Sequence, residues 1–581
     1  MRSKNSFIFF VVLLFLFLSL LVSQEQTMGL FINQPQSYNG YTLFAPNRYT
    51  KTYLINNNGL EINSWQSAFV PGQAVYFLEN GNLLRTGRPN DPGFNSGGFG
   101  GLVEEFSWEG NLVWQFFYST DEYRQHHDIE YLPNGNVLII AWELKTAADA
   151  IAAGRKPSLL NDGELWPDHL IEVEPTSDSG GNIVWEWHVW DHLIQDHDPT
   201  KDNYGVVEEH PELIDINYPP APVGGNADWN HINSIDYNEY FDQIILSVHN
   251  LNEIWIIDHS TTTEEAAGHS GGNSGMGGDI MYRWGNPQAY DAGTSEDQIL
   301  FGQHDAQWIK EGLPGEGNIL IYNNGMNRPD GEYSSIEEIV TPVDNEGNYP
   351  TPETGESFPP ETTIWSYQAD PPTDFYSKNI SGAQRMPNGN TLICEGAYGT
   401  FFEVTPDSQI VWLYVNPVTE EGPLIQGEMI PPLNPDGWKN NVFKIRRYPG
   451  DYPGFDGITL VPGDPIEIYP DAVEEYYEDG SNIFLGKCYP NPLVIDSNNH
   501  KSASKTIIPY GLKVTDKVRL DVFNLKGQLI KTLVNKIQSS GDHRVEWAGI
   551  NNEGHAVASG IYFYKLTTDT ETKIEQMVLI K

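Results

Sequence analysis

An apolar run ending in tryptophan recurs six times in this chain, and no other feature limits its fold as much. The runs are Ile62-Asn63-Ser64-Trp65, Leu112-Val113-Trp114, Ile183-Val184-Trp185, Met281-Tyr282-Arg283-Trp284, Thr363-Ile364-Trp365 and Ile410-Val411-Trp412, with tryptophans 49, 71, 99, 81 and 47 residues apart. A second pattern accompanies them: Leu78-Glu79-Asn80-Gly81-Asn82, Leu132-Pro133-Asn134-Gly135-Asn136 and Met386-Pro387-Asn388-Gly389-Asn390, each leading into a β-rich run. Asn-Gly between strands predicts a type I′ hairpin, whose two central residues need positive φ. A mean spacing of about 70 residues fits four strands with inserted loops, so six units predict a six-bladed β-propeller. In such a fold the innermost strands line the axis, and residues just before each Asn-Gly hairpin are expected near one mouth.

The chain has 581 residues, enough for several domains, and a net charge of −46. That balance opposes nucleic-acid binding, which needs a basic footprint, and docking on anionic lipid. Two cysteines, Cys394 and Cys488, exclude a disulfide-dense framework, and falling in different bodies they are not expected to pair. The charge divides unevenly: residues 487–581 carry 13 Lys/Arg against 9 Asp/Glu, whereas the rest carries 20 against 70.

Arg2 and Lys4 precede an apolar run from Phe7 to Val22, read as a secretory signal over residues 1–23. Sixteen residues, all apolar but Ser19, are short for a span, and no other stretch approaches spanning length. The propeller is placed at 24–460 and an acidic, Pro- and Tyr-rich linker at 461–486. Runs at Val518–Phe523, Leu529–Leu533, His543–Trp547, Ile561–Leu566 and Met577–Ile580 predict a small C-terminal β-sandwich over 487–581. Its Tyr489-Pro490-Asn491-Pro492, Val522-Phe523-Asn524-Leu525-Lys526-Gly527, Ala558-Ser559-Gly560-Ile561-Tyr562-Phe563-Tyr564 and terminal Lys581 resemble the sorting domain of type IX secretion cargo. The resemblance implies Sec export, then transfer to the cell surface or medium by the type IX machinery.

Twelve of the 15 histidines fall between His126 and His304. Three recur at about one-blade intervals: His126-His127-Asp128, His231-Ile232-Asn233 and His304-Asp305-Ala306-Gln307. Repeat symmetry would gather them at the axis. The surrounding blocks resemble the bacterial arylsulfate sulfotransferase family, which works without phosphoadenylyl sulfate. They are Gly40-Tyr41-Thr42-Leu43-Phe44-Ala45-Pro46, Asp228-Trp229-Asn230-His231-Ile232-Asn233-Ser234-Ile235-Asp236-Tyr237, Asp242-Gln243-Ile244-Ile245-Leu246-Ser247-Val248, Gly302-Gln303-His304-Asp305 and Ser381-Gly382-Ala383-Gln384-Arg385-Met386-Pro387-Asn388-Gly389-Asn390.

That resemblance implies a six-bladed propeller and ping-pong transfer of a sulfuryl group from an aryl sulfate to a phenol through a sulfated histidine, with no cofactor. By the same resemblance His304 is the nucleophile, His231 and Asn233 hold the sulfuryl oxygens, and His127 supports them. His231 is the first choice as acid for the departing phenolate. The family's arginine, 18 residues after His231, is replaced by His249, expected to lose its charge near neutrality. A divergent transfer or hydrolytic enzyme and a non-catalytic propeller binding glycans or phenolics are the alternative readings. His188, Asp191, His192 and His197 are of metal-ligating type but in no strict motif, so no metal is assigned. Their segment is expected to fold over the mouth, with Trp187 and Trp190 offering aromatic surface.

Overall fold

In the computed structural model each of the six tryptophans lies in the fourth strand, counted from the innermost, of a separate antiparallel sheet. The structure describes residues 26–580 except 91, 92, 95, 178, 219–226, 434, 436, 470–480, 487, 489–492 and 495–504. The signal segment, most of the linker's acidic run, the Tyr489–Pro492 motif and Lys581 lie outside the described residues. No helix among the described residues is long and apolar enough to cross a membrane.

The six sheets are the blades of a β-propeller, numbered here from the N-terminus. Blades 2 to 6 have innermost strands Pro71–Phe77, Tyr123–Tyr131, Ile232–Asn238, His304–Trp308 and Gly382–Arg385. Blade 1 is composite: its outer strands come from Gly40–Phe44, Lys51–Asn56 and Glu61–Gln66, but its innermost strand is Arg446–Pro449. Conversely, Gly29–Asn33 adds a fifth strand to the outer edge of blade 6, beside Ile410–Val415. Both ends of the propeller chain thus close the ring.

The repeated tryptophans have a structural purpose. Each indole N–H donates to the loop before the fourth strand of the next blade: Trp65 to Ser107 O, Trp114 to Gly180 O, Trp185 to Thr261 Oγ1, Trp284 to Pro360 O, Trp365 to Pro406 O and Trp412 back to Asn57 O. Six bonds of 2.8–3.2 Å therefore circle the rim once. The Asn-Gly repeats are likewise tied in. Asn82, Asn136 and Asn390 each donate to a glutamate of their own blade's third strand, Glu105, Glu172 and Glu403.

The turn type differs from the expected type I′. Only the glycines, Gly81, Gly135 and Gly389, have positive φ. Gly81 N–H donates to Leu78 O and Leu78 N–H to Asn82 O, the pattern of a type I turn followed by a glycine bulge. The preceding asparagine stays out of the left-handed region because its Oδ1 accepts the Asn82 N–H at 3.0 Å, a local turn of its own.

Residues 483–580 hold two further sheets, the β-sandwich expected at the C-terminus. One contains Ile483–Leu485, Thr506–Leu512 and Gly541–Trp547; the other contains Asp516–Asn524, Leu529–Gln538, Gly560–Thr567 and Thr572–Ile580, with Leu493–Val494 at its edge. Leu512, Val518, Leu520, Val522, Trp547 and Tyr564 fill the space between them. Ile483–Leu485, in the stretch read as linker, pairs with Thr506–Leu512, so strand pairing begins before residue 487. Ile466, read as linker too, is buried with Trp412 and Ile445 of the propeller. Cys394 and Cys488 are free and buried.

On the propeller axis, Lys444 reaches Asp128 Oδ2 at 2.5 Å and Asp305 Oδ1 at 3.3 Å, and Arg446 grips both oxygens of Asp305 at 2.7 and 3.0 Å. Tyr76 donates to Asp128 and Ala383 N–H to Asp305. Blades 1, 2, 3, 5 and 6 meet in this one network. Lys444→Met leaves two buried carboxylates short of a cation, and such broken pairs cost about 3–5 kcal/mol. We expect an unfolding free energy lowered by that amount, measured by urea titration; an unchanged value would show that the axis does not hold the ring.

Candidate active site

Three of the expected histidines owe their aim to an irregularity in the innermost strands. His127 and His231 have φ of 50° and 55°, and Asp305, next to His304, has 53°. At each place the pairing slips: between Ile139 and Ala141 opposite His127, between Ile232 and Ser234 after His231, and between His304 and Gln307. A bulge with a left-handed residue turns a side chain that would face a neighbouring blade toward the axis. The same backbone is costly for non-glycine residues, which is common where side chains must be re-aimed.

The outcome is a closed circuit of rings. Centroids of His127 and His231 are 4.6 Å apart, those of His231 and His249 5.2 Å, and those of His249 and His304 5.4 Å. Phe443 completes it, 6.3 Å from His304 and 5.9 Å from His127. Four of the five residues inferred from sequence therefore share one spot. The fifth, Asn233, is buried, with its amide donating to Gln303 O at 2.7 Å and its Oδ1 unpartnered among the described residues. It supports the strand entering His304 and retains one N–H and its oxygen.

Hydrogen bonds fix which nitrogen carries the proton. The Asn324 amide donates to Ser377 O and Ile380 O, so its Oδ1 is the acceptor that faces His304 Nδ1 at 2.8 Å. The proton of His304 is therefore on Nδ1, and Nε2 keeps its lone pair, which accepts the Ile380 N–H at 3.2 Å. Ile380 holds a φ of 43°, an unusual conformation for a β-branched residue. Burial, then the nearby His249, pushes the His304 pKa well below its ordinary value, so this lone pair persists at neutral pH.

His249 behaves similarly. Asn250 donates its amide to Asp228 O and accepts from His249 Nδ1 at 2.8 Å. Burial, with His231 adding to it, lowers the His249 pKa to about 4. Its charge is thus lost far below neutrality, not near it, because the ring is enclosed. At pH 7 its Nε2 is an acceptor.

His231 is the cationic member. Burial opposes its charge, but Asp228, 2.6 Å from Nδ1, more than offsets this and raises the pKa. Asp228 also accepts the Trp142 indole N–H at 3.0 Å and the Ser96 hydroxyl. His231 Nε2 is left toward the circuit.

His127 is set by a chain that sequence reading did not find. Asp168 Oδ1 lies 2.9 Å from His126 Nε2, and His126 Nδ1 lies 2.8 Å from His127 Nδ1. Burial, then Asp228, raises the Asp168 pKa well above the carboxylate range, while its Oδ2 accepts the Ile232 N–H at 2.7 Å. A proton on Oδ1 would be donated to His126 Nε2. His126 would then donate from Nδ1 to His127 Nδ1, which leaves the His127 proton on Nε2. Were Asp168 ionised, both rings would switch tautomer and His127 would present a lone pair instead.

A glycine loop packs over this pair. A Cβ on Gly98 would lie 2.0 Å from His127 Nε2, and one on Gly97 3.6 Å from the His231 ring. Sequence reading missed Asp168, Asn324, Ile380 and Phe443; His126, next to His127, and Asp228, three residues before His231, stood within quoted motifs without a role. The Trp187 side chain is fully buried, its indole donating to Gly278 O, so it offers no surface to a ligand; Trp190 stacks with the Lys145 ammonium. Of the metal-type residues, His188 bonds Glu143 and His192 bonds Asp279.

Among solved structures, one of unknown function from Bacteroides caccae aligns with 9% identity over 65% of this chain and 94% of its own, at a TM-score of 0.35. A Lactobacillus plantarum protein aligns with 8% identity over 88% and 99%, at 0.32. FlgD from P. aeruginosa aligns with 22% identity over 15% of this chain and 64% of its own, at 0.12. No curated protein matches significantly. The FlgD Ig-like domain family matches residues 497–572. The family model of the arylsulfotransferases (ASST) matches residues 74–422, more than half of the sequence, and the chain belongs to that family.

Proposed function

We propose that this protein is an arylsulfate sulfotransferase working through a sulfated His304. The observation that carries the reading is the His304 tautomer: an unprotonated Nε2 in a circuit that also holds His231, whose pKa is raised. In the first half-reaction Nε2 attacks the sulfur of an aryl sulfate. The N–S bond forms, the S–O(aryl) bond breaks, and the departing phenolate takes the proton from His231 Nε2. Sulfuryl transfer, like phosphoryl transfer, needs little from the protein besides an in-line nucleophile and donors to the equatorial oxygens. In this reading His127 and Asn233 supply them, and Ile380 N–H becomes available once Nε2 is sulfated. In the second half, neutral His231 takes the proton of an acceptor phenol as its oxygen attacks sulfur and the N–S bond breaks.

Incubation with a chromogenic aryl sulfate tests this reading. Intact mass is expected to rise by one sulfuryl group, to fall again on adding phenol, and to stay unchanged in His304→Ala. Acceptor-independent release with no adduct would instead favour a hydrolase; no release at all would leave a binding propeller. The rate should fall as pH rises through the raised His231 pKa, because the acid is then lost. His249→Arg puts a permanent cation next to His231, whose ring centroid is 5.2 Å from that of His249, so the alkaline limb should move to lower pH.

The proton chain makes a sharper claim. Asp168→Asn keeps an N–H donor toward His126 Nε2 and an acceptor for Ile232 N–H, so kcat should stay within about threefold of the parent. Asp168→Ala, which frees His126 to turn over, should lose about tenfold or more. Equal losses in both variants would mean that Asp168 acts ionised.

We further propose delivery to the cell surface or medium by Sec export and type IX secretion, supported by the signal-like N-terminus and the motif order in residues 487–581. Removing 487–581 should strand active enzyme in the periplasm of a type IX-competent host; undiminished surface activity would refute it.

A further inference from the structure

Blades 3 and 4 meet in a second group of metal-ligating side chains, made of residues that are not members of the histidine circuit. His192 follows the 3-10 turn Val189–Asp191 after the last strand of blade 3. His269 and Asp279 belong to the glycine-rich connection between the third and fourth strands of blade 4. We propose that His192, His269 and Asp279 form a zinc site that clamps the two blades together.

The first argument is a proton count. His192 Nε2 lies 2.9 Å from Ala266 O, a pure acceptor, so Nε2 carries a hydrogen. A neutral ring then has its lone pair on Nδ1, which faces Asp279 Oδ1 at 2.8 Å. Two electron-rich atoms at that distance require a cation between them, a second proton or a metal. His269 Nδ1 approaches the same oxygen at 2.7 Å, so two imidazoles converge on one carboxylate oxygen. The three ligand atoms lie within 4.8 Å of one another. Donation of the remote ring N–H to a backbone carbonyl is how metal-bound histidines are usually oriented.

The second argument is that the surroundings are built to this ring. His192 is fully buried and stacks on Trp187 at 10° between planes. The Trp187 indole holds Gly278 O at 2.7 Å, fixing the backbone just before Asp279. A Cβ on Gly278 would lie 2.7 Å from His192 Nε2 and 2.0 Å from Ala266 O, so only glycine allows this approach. Gly278 N–H to Gly268 O and Gly277 N–H to Gly271 O fold the loop back so that His269 reaches Asp279.

Two imidazoles and a carboxylate suit zinc, with water completing a tetrahedron. Ligands of such an ion sit about 3.3 Å apart, so the pairs must widen by about half an ångström. His269, 62% exposed on its glycine loop, is free to make that adjustment and leaves the fourth position open to solvent.

The test uses the full chain stripped with EDTA and then titrated with zinc, or with cobalt as a spectroscopic probe. Expected are one equivalent of zinc held by this group, a tetrahedral cobalt spectrum, and a higher melting temperature on zinc addition. His269→Ala, an exposed change that should fold, is expected to weaken that binding by more than about tenfold. His304→Ala and His197→Ala, in the active site and on a nearby loop, should retain it. Absence of zinc binding, or binding that survives His269→Ala and disappears in His304→Ala, would overturn the proposal; the buried pair would then be an imidazolium–carboxylate contact.

Discussion

The ion pairs of Lys444 with Asp128 and Asp305 connect ring closure to active-site assembly. A propeller closes only when its last strand pairs with its first blade, and here that strand follows directly from Phe443 and Lys444. Asp128 and Asp305 are the immediate neighbours of His127 and His304, so gripping these carboxylates also fixes the backbone that carries the rings. Phe443 arrives with Lys444 and completes the circuit. An open ring would lack the cation on its axis, the fifth ring of its site and the blade 1 inner strand together. Buried ion pairs are weak sources of net stability, because desolvation opposes the Coulomb gain. Their value here lies in geometry: each carboxylate has a single arrangement that satisfies its partners.

That geometry is expressed in proton positions. Three of the four ring histidines are neutral because they are enclosed, and each is held in one tautomer by a partner whose own orientation is fixed elsewhere. Asn324 and Asn250 present oxygens because their amides are already committed to carbonyls. The one retained charge, on His231, is compensated by Asp228. In a water-poor site, fixed N–H groups of this kind stabilise developing charge without having to reorganise.

The gross architecture could be read from sequence because it rests on repetition. A tryptophan that must bond the next blade, and an asparagine that must bond its own, recur for the same physical reason in each unit. The histidines were legible as well, since three of them occupy one repeated place. What repetition could not show are contacts made once. Nothing in the spacing of His126 and Asp168 marks them as a pair, and Asn324 is one of many asparagines until the fold brings it to His304. The bulges were equally hidden: His127, His231 and Asp305 are not residues that announce a left-handed backbone. The hairpin prediction erred in the same direction, because Asn-Gly statistics favour type I′ whereas a side-chain bond to the turn backbone selects the other form.

The acidity of the chain bears on how an anionic substrate is held. With a net charge of −46 the distant field repels an aryl sulfate, although salt confines that field to about 8 Å from each exposed charge. Inside the mouth, Lys444 and Arg446 are balanced by Asp128 and Asp305, so they contribute little net attraction. At the place where the family's arginine is expected stands a neutral His249 whose Nε2 accepts. In the proposed reaction, binding the sulfate therefore falls to oriented dipoles and to His231, whose charge is itself partly offset. Such a site holds its ground-state anion loosely and acts most strongly where negative charge grows on the leaving oxygen, next to the one group that can protonate it. That places the selectivity of this site in the transfer step, with the phenol leaving group, more than in initial capture.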